Sequence, residues 1–116
     1  MTDAAARLAA LREDEEQRVA ALRAELADVL DSASSTTGDD EHDPEGATIG
    51  LERAQAQGLL DSATAQLEEI DAAQARVTAG TYGTCTRCGA PIGAERLAAR
   101  PSAPLCFTCA AARPPR

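Results

Sequence analysis

The chain has 116 residues and a net charge of -8, and 44% of its residues are apolar. Alanine accounts for 27 of these residues, however, and only 18 residues are Leu, Ile, Val or Phe. So few large apolar side chains exclude the core of a large globular enzyme. This length and composition can build one aromatic-poor domain, or an elongated arm with a small head.

The distribution of apolar residues argues against a membrane protein. The start of the sequence lacks a signal-peptide pattern, and the longest uncharged run, residues 101–112, has 12 residues. A transmembrane helix needs about 20. We therefore expect a cytoplasmic protein with no membrane partner. In that reducing compartment, four cysteines are more often metal ligands than disulfides.

The charges are unevenly distributed along the chain. Residues 1–79 contain 6 Arg and 18 acidic residues, a net charge of -12, whereas residues 80–116 carry a net charge of +4. An acidic arm of this kind repels phosphate backbones. We expect no direct nucleic-acid partner.

The first predicted element is a helix from Thr2 to about Asp31. The segment is rich in Ala, Arg, Glu and Leu and contains no Gly or Pro, and Thr2 followed by Asp3 is a plausible N-cap. Small or apolar residues recur three or four positions apart, with Glu15 as an interruption. They are Ala4, Leu8, Leu11, Val19, Leu22, Leu26 and either Val29 or Leu30.

A second helix is predicted from Pro44 to about Ala79. Asp43 precedes it as an N-cap, Pro44 suits its first position, and Gly80 stands where a left-handed C-terminal cap is expected. Its seam residues alternate in steps of four and three, which is a heptad pattern. They are Ala56, Leu60, Ala63, Leu67, Ile70, Gln74 and Val77.

Neither narrow seam can be buried by one helix alone, so the two helices are predicted to pair as an antiparallel hairpin. The predicted fold class is mainly α, with residues 1–79 forming a coiled-coil hairpin and residues 32–43 an acidic tip loop. Residues 80–116 form a small four-cysteine finger at its base, with a short C-terminal helix. If the seam is used within the chain, the protein is a monomer; a seam shared with a second chain is the alternative.

The clearest chemistry lies in four cysteines with the spacing C-x2-C-x17-C-x2-C: Cys85, Cys88, Cys106 and Cys109. Two such pairs can close a tetrahedron of thiolates around zinc. Four thiolates leave no open position for water, so we expect one structural Zn2+ and no enzymatic activity. Two disulfides or a redox-active pair are the rival interpretations, although redox C-x2-C motifs normally occur singly.

The finger resembles that of the DksA/TraR family of bacterial transcription factors. The similarity lies in the run Tyr82-Gly-Thr-Cys-Thr-Arg-Cys-Gly, in Ile92-Gly, in Glu95-Arg-Leu-Ala-Ala-Arg-Pro101 and in Leu105-Cys-Phe-Thr-Cys109. The resemblance implies a regulator that binds RNA polymerase without contacting promoter DNA. Its hairpin would enter the secondary channel and place carboxylates near the active-site magnesium.

The tip motif of the family, Asp-x-x-Asp-x-Ala, is altered here. Counting back from the first cysteine without gaps places His42, Glu45 and Ala47 on its positions, whereas a shifted register uses Asp40, Asp43 and Glu45. We take Asp43, Glu45 and Ala47 as the tip candidates. His42, the only histidine, is expected to be a solvated loop residue.

The resemblance also bears on the alarmone ppGpp. Arg96 and Arg100 occupy positions where the best-known member of the family has arginine near the finger, and they are candidate polymerase or alarmone contacts. Glu69 and Ala110 stand where that member has lysine. A multiply phosphorylated nucleotide needs concentrated positive charge, so we expect no strong ppGpp site.

Two other functions remain open from the sequence. A structural adaptor would pair its heptad seam with another chain while zinc only stabilises the fold. A redox sensor would release zinc when its thiols are oxidised.

Overall fold

Helices make up the regular structure of the protein. The computed structural model describes residues 2–35 and 44–112, with side chains for residues 3–32 and 48–112. The helices in these ranges are α1 (Thr2–Ser35), α2 (Pro44–Ala79), α3 (Ala94–Ala99) and α4 (Phe107–Ala112). The mainly α fold class is confirmed, and among the described residues one isolated bridge, Thr84 to Pro91, is the only strand-like pairing.

The bounds of α2 agree with the sequence prediction, whereas α1 is longer than predicted. It continues from Asp31 to Ser35 because the intervening Ser and Ala residues include no Gly or Pro that would end a helix. The predicted loop is therefore helical over residues 32–35. The rest of it, residues 36–43 with His42 and Asp43, lies outside the described residues.

The chain divides into two compact units. The first combines Met1–Asp14 with Leu67–Arg116, and the second is Glu15–Gln66. In the first unit α1 and α2 run antiparallel: Ala5 lies beside Thr78, and Arg12 pairs with Asp71. Arg12 Nη1 also donates a hydrogen bond to Gln74 Oε1 at 3.5 Å.

The core of the first unit is small and alanine-rich. Leu8, Ile70 and Ala73 are fully buried, and Leu11, Val77 and Tyr82 pack against them. Four predicted seam residues, Leu8, Leu11, Ile70 and Val77, belong to this core, and Ala73 adds a position beside the seam. Its small side chain permits close approach of the paired helices.

The second unit has its own buried set, Val19, Leu22, Ala56 and Ala63, which are all predicted seam residues. Val29 is half-buried and Leu30 is 39% exposed, so Val29 is the seam residue of that pair. Glu15 is half-buried, and it lines an open pocket with Arg18, Ser62, Ala63 and Gln66. At this layer of the seam the chain thus has the carboxylate of Glu15 in place of a large apolar side chain.

Gly80 ends α2 as predicted. It has a φ of 80°, in the left-handed region that favours glycine. Its N–H donates to Val77 O at 3.2 Å, and the N–H of Thr81 donates to Arg76 O at 2.9 Å. These two bonds form a Schellman motif, which satisfies carbonyls that the end of a helix leaves without partners.

Within residues 2–35 and 44–112, no helix is both long enough and apolar enough to cross a bilayer.

Replacement of Leu8 by Ala should destabilise the protein strongly. Leu8 is 0% exposed, and its loss leaves a cavity beside Ile70 and Ala73. The expected loss in the free energy of unfolding is about 2 to 5 kcal/mol, measured by urea denaturation followed by circular dichroism. Leu51→Ala, at a position 61% exposed, is the matched control and should change stability little. Equal effects of the two variants would show that the described core is wrong.

Candidate zinc centre and its attachment to the helices

Each C-x2-C pair forms a tight knuckle in which backbone N–H groups point at sulfur. The N–H of Ala90 donates to Cys88 Sγ, and that of Cys109 donates to Cys106 Sγ, each at 3.5 Å. In the first knuckle Gly89, with a φ of 78°, donates its N–H to Cys85 O at 3.0 Å. The left-handed conformation at Gly89 closes this turn.

The two knuckles bring their four sulfur atoms together. The Sγ atoms of Cys85, Cys88, Cys106 and Cys109 lie within 4.8 Å of one another, and Cys88 Sγ is 3.8 Å from Cys106 Sγ. Zn–S bonds of about 2.3 Å in a tetrahedron place two sulfur atoms about 3.8 Å apart. The cluster therefore has the dimensions of a four-thiolate zinc site. A backbone hydrogen bond from Thr86 N to Pro104 O, at 2.9 Å, links the two knuckles further.

The four thiols differ in burial and acidity. Cys85 is 2% exposed and Cys88 is exposed. The backbone amides of Cys88 and Cys106 lower the pKa of Cys85 to about 6, so this thiol ionises readily. Burial and the neighbouring thiols raise the pKa of Cys109 to about 12. Since a metal must displace that proton, zinc affinity falls as the pH falls.

The donor set fits zinc and a structural role. Sulfur is the donor type that zinc takes in closed tetrahedral sites, and no His, Asp or Glu joins the cluster in the described part of the chain. Four protein thiolates complete the coordination shell. Such an ion holds the two knuckles together and has no position for a reacting water.

A polar network centred on Glu69 attaches the finger to α2. Glu69 Oε1 accepts hydrogen bonds from Arg100 Nη2 at 2.7 Å and from Ser102 Oγ at 3.2 Å. The Glu69 side chain is 24% exposed, and Ser102 is 1% exposed. One carboxylate on the helix therefore satisfies two donors from the segment that precedes the second knuckle.

Three further hydrogen bonds end on backbone carbonyls of residues 101–105, and the one from Arg76 adds to the attachment of the finger to α2. Tyr82 Oη donates to Pro101 O at 2.8 Å, and Arg76 Nη2 approaches Ser102 O at 3.5 Å. Arg96 Nε donates to Leu105 O at 2.9 Å. Arg96 is thus part of the internal structure of the finger.

Among the described residues, none of the other predicted site residues is a member of the sulfur cluster. Glu45 and Ala47 belong to the backbone of the first turn of α2, where side chains are not described, and Asp43 lies outside the described residues. The structural role of Glu69 was not predicted from the sequence, where this residue counted only as a lost positive charge. The sequence contains both Glu69 and the segment Arg100-Pro101-Ser102, but a heptad pattern does not predict that they form hydrogen bonds with each other.

Comparisons with known proteins match both the finger and the helices. Residues 80–114 match the prokaryotic dksA/traR C4-type zinc finger. The structure of transcription factor DksA2 from Pseudomonas aeruginosa is similar with a TM-score of 0.76 and 30% identity, over 96% of this chain and 80% of that chain. DnaK suppressor protein from Agrobacterium tumefaciens C58 is 30% identical over 84% of this chain and 92% of its own, with a TM-score of 0.45.

An uncharacterized protein from Aquifex aeolicus (strain VF5) is 45% identical over 56 residues. The match covers 45% of this chain and 39% of the relative, so it spans well under half of that protein.

Helical packing joined to a C4-type finger defines a helical zinc-finger protein with one structural Zn2+. The similarity to DksA2 extends over nearly the whole chain. The chain belongs to the DksA/TraR family.

The zinc site can be tested through one cysteine. We expect the purified protein to hold one zinc ion per chain, and Cys109→Ser to weaken zinc binding because an alcohol replaces a thiolate. The loss should exceed the roughly 10- to 100-fold that removal of an outer-shell partner costs. Competition with a chromogenic chelator measures it. Arg87→Ala, an exposed change in the first knuckle, is the control and should keep its zinc.

Glu69→Ala should loosen the attachment of the finger. The change removes the carboxylate that accepts hydrogen bonds from buried Ser102 and from Arg100. Because Ser102 then lacks its acceptor, we expect a loss of about 1 to 3 kcal/mol in the free energy of unfolding. The ion pair alone, which is partly exposed, contributes less than about 1 kcal/mol of this. Glu68→Ala is the matched control, because Glu68 is exposed. Urea denaturation that gave the same result for both variants would contradict the role of Glu69.

Proposed function

We propose that this protein is a transcription regulator that binds RNA polymerase through its secondary channel and modulates initiation without binding promoter DNA. The observation that carries this proposal is the similarity in fold and sequence to transcription factor DksA2, which covers 96% of this chain. The C4-type finger of the same family supports it. Polymerase binding would place the protein in the cytoplasm.

In this proposal the finger has a structural role, and the helices contact the polymerase. Cys85, Cys88, Cys106 and Cys109 hold the single zinc ion, and residues 1–79 and 80–116 serve as arm and finger. The chemistry of four thiolates supports a stabilising ion and no catalysis by the protein itself. The regulator acts on the enzyme that it binds.

The acidic residues immediately before and within the first turn of α2 are the proposed effectors. Asp43 and Glu45 would bring negative charge to the active-site magnesium or to the mobile elements around it, and Ala47 is the one residue of the family motif that the ungapped register keeps. A carboxylate close to a bound divalent cation changes the field at that cation strongly. Glutamate at position 45 gives the tip a longer side chain than the aspartate of the family motif, so the regulatory effect should differ in strength.

The charge distribution supports a protein partner over a nucleic acid. Residues 1–79 carry a net charge of -12, which opposes binding to a phosphate backbone. The same reasoning applies to ppGpp. Arg100 is already paired with Glu69, and Arg96 Nε is bonded to Leu105 O, so neither guanidinium is entirely free for an anion. We therefore propose regulation that does not require a strong alarmone site on this chain.

In vitro transcription with purified polymerase is the direct test. Addition of the protein should change the yield of initiated transcripts, and the protein should compete with other ligands of the secondary channel. A mixture in which the protein neither co-purifies with core polymerase nor alters transcription would refute the proposal.

The double variant Asp43→Ala with Glu45→Ala separates binding from effect. Removal of two carboxylates at the tip should abolish the change in transcription, while the affinity for polymerase stays within about threefold, because the rest of the contact surface remains (about 0.7 kcal/mol or less). Glu13→Ala with Asp14→Ala removes equal charge from exposed positions of α1 and is the control. A tip variant with full transcriptional effect would exclude the tip from the mechanism.

A further inference from the structure

The segment that leads into the second knuckle, residues 101–105, is held mainly through its carbonyl groups. Four of its five carbonyls accept hydrogen bonds from donors outside the segment. They are the carbonyls of Pro101, Ser102, Pro104 and Leu105. Two of the five residues are proline, which has no N–H, so the segment has few backbone donors with which to anchor itself.

The last two of these carbonyls fix the second knuckle to the rest of the finger. Pro104 O accepts a hydrogen bond from the N–H of Thr86 in the first knuckle, at 2.9 Å. Leu105 O accepts one from Nε of Arg96 in α3, also at 2.9 Å. Leu105 is bonded directly to Cys106, the first ligand of the second knuckle. Arg96 is thus a side chain that holds the backbone one residue before a metal ligand.

The backbone of α4 does not satisfy the carbonyl of Leu105. The helix begins at Phe107, and the N–H of Ala110 donates to Cys106 O at 2.9 Å. Leu105 O lies one residue before that acceptor, outside the bonding pattern of the helix. A carbonyl in this position needs a donor from elsewhere, and the half-buried Arg96 supplies it.

The start of α3 is itself fixed beside the first knuckle. Thr84 pairs with Pro91 in the isolated bridge, and the N–H of Ile92 donates to Gly83 O at 2.8 Å. Ile92 is 6% exposed, and α3 begins two residues after it. Arg96 therefore extends from a helix whose position the first knuckle determines, and it reaches the entrance of the second knuckle.

We propose that Arg96 is a positioning residue for zinc binding, because its Nε–H holds Leu105 O so that Cys106 and Cys109 face the thiols of the first knuckle. It acts through the backbone and not on the sulfur atoms. Seventeen residues separate the two cysteine pairs, so bringing the pairs together has a cost in conformational entropy. A hydrogen bond that holds the second knuckle in place before the metal binds reduces this cost.

Arg100 provides an internal comparison. It is the same residue type four positions later, but its Nη2 donates to Glu69 Oε1 of α2 at 2.7 Å. Its guanidinium contacts the helix, whereas that of Arg96 contacts the second knuckle. Loss of the Arg100 side chain should therefore weaken the attachment of the finger and leave zinc affinity nearly unchanged.

The test measures the zinc affinity of the full-length protein by competition with a chromogenic chelator. Arg96→Met should weaken zinc binding roughly 10- to 100-fold, because a methyl group takes the place of Nε and cannot donate to Leu105 O. Arg100→Met is the matched control and should bind zinc within about threefold of the wild type. Equal losses in the two variants would show a general weakening of the finger and would overturn the proposal.

Two further variants of Arg96 distinguish the donor from the charge. In glutamine Nε2 is as many bonds from Cα as Nε is in arginine, so Arg96→Gln keeps an N–H donor at the same place without the charge. It should bind zinc within about threefold of the wild type. Arg96→Lys keeps the charge but carries its nitrogen one bond further from Cα, so it should bind zinc less tightly than Arg96→Gln. The reverse order would assign the effect to charge and refute the positioning role.

Circular dichroism in excess zinc compares the helix content of all variants with that of the wild type. If Arg96→Met has lost helix content, the order of Arg96→Gln and Arg96→Lys still tests the proposal. If Arg96→Met folds and binds zinc within about threefold of the wild type, Arg96 has no positioning role and the proposal is refuted. These measurements use the free protein, so their result is independent of polymerase binding.

Discussion

A shortage of large apolar side chains governs this structure. With 18 Leu, Ile, Val and Phe residues in 116, the chain cannot bury a broad core, and its fully buried side chains of any size are few. Two consequences follow. The helices pack through a narrow seam in which alanine allows close contact, and the finger depends on convergence of four sulfur atoms on a metal. A zinc ion supplies folding free energy that a finger with so few buried apolar side chains, among them Ile92 and Ala103, cannot obtain from apolar burial.

Near the end of α2, hydrogen bonds join the helix to the finger. Glu69 lies one residue before the buried Ile70, yet its carboxylate faces Arg100 and Ser102 of the finger. The last turns of α2 therefore have two functions on two faces, apolar packing against α1 and hydrogen bonding to the finger. Gly80 then reverses the chain so that Tyr82 can both pack on the core and donate to Pro101 O. The relation between helix and finger in this unit depends on donors and acceptors more than on buried area.

The elements that follow from local rules were predictable from the sequence. Seam positions such as Leu8, Ile70 and Ala63, the start of α2 at Pro44 and its cap at Gly80 are confirmed, because periodicity, proline geometry and the left-handed preference of glycine act over a few residues. The cysteine cluster was predictable for a different reason, since two C-x2-C pairs are the pattern of a shared metal site even when many residues separate them. The network of Glu69 was not predictable, since it joins residues about 30 positions apart. The end of α1 was also missed, because three of the residues 32–35 are Ser, which neither strongly favours nor forbids a further helical turn.

The position of Tyr82 has a practical consequence. The chain contains no Trp and this single Tyr. The ring is half-buried against the core, and its hydroxyl donates to Pro101 O at 2.8 Å. Since phenylalanine does not absorb in the tyrosine band, fluorescence excited in that band originates from one side chain, located where α2 leads into the finger. Separation of finger from helix becomes optically visible without any attached dye.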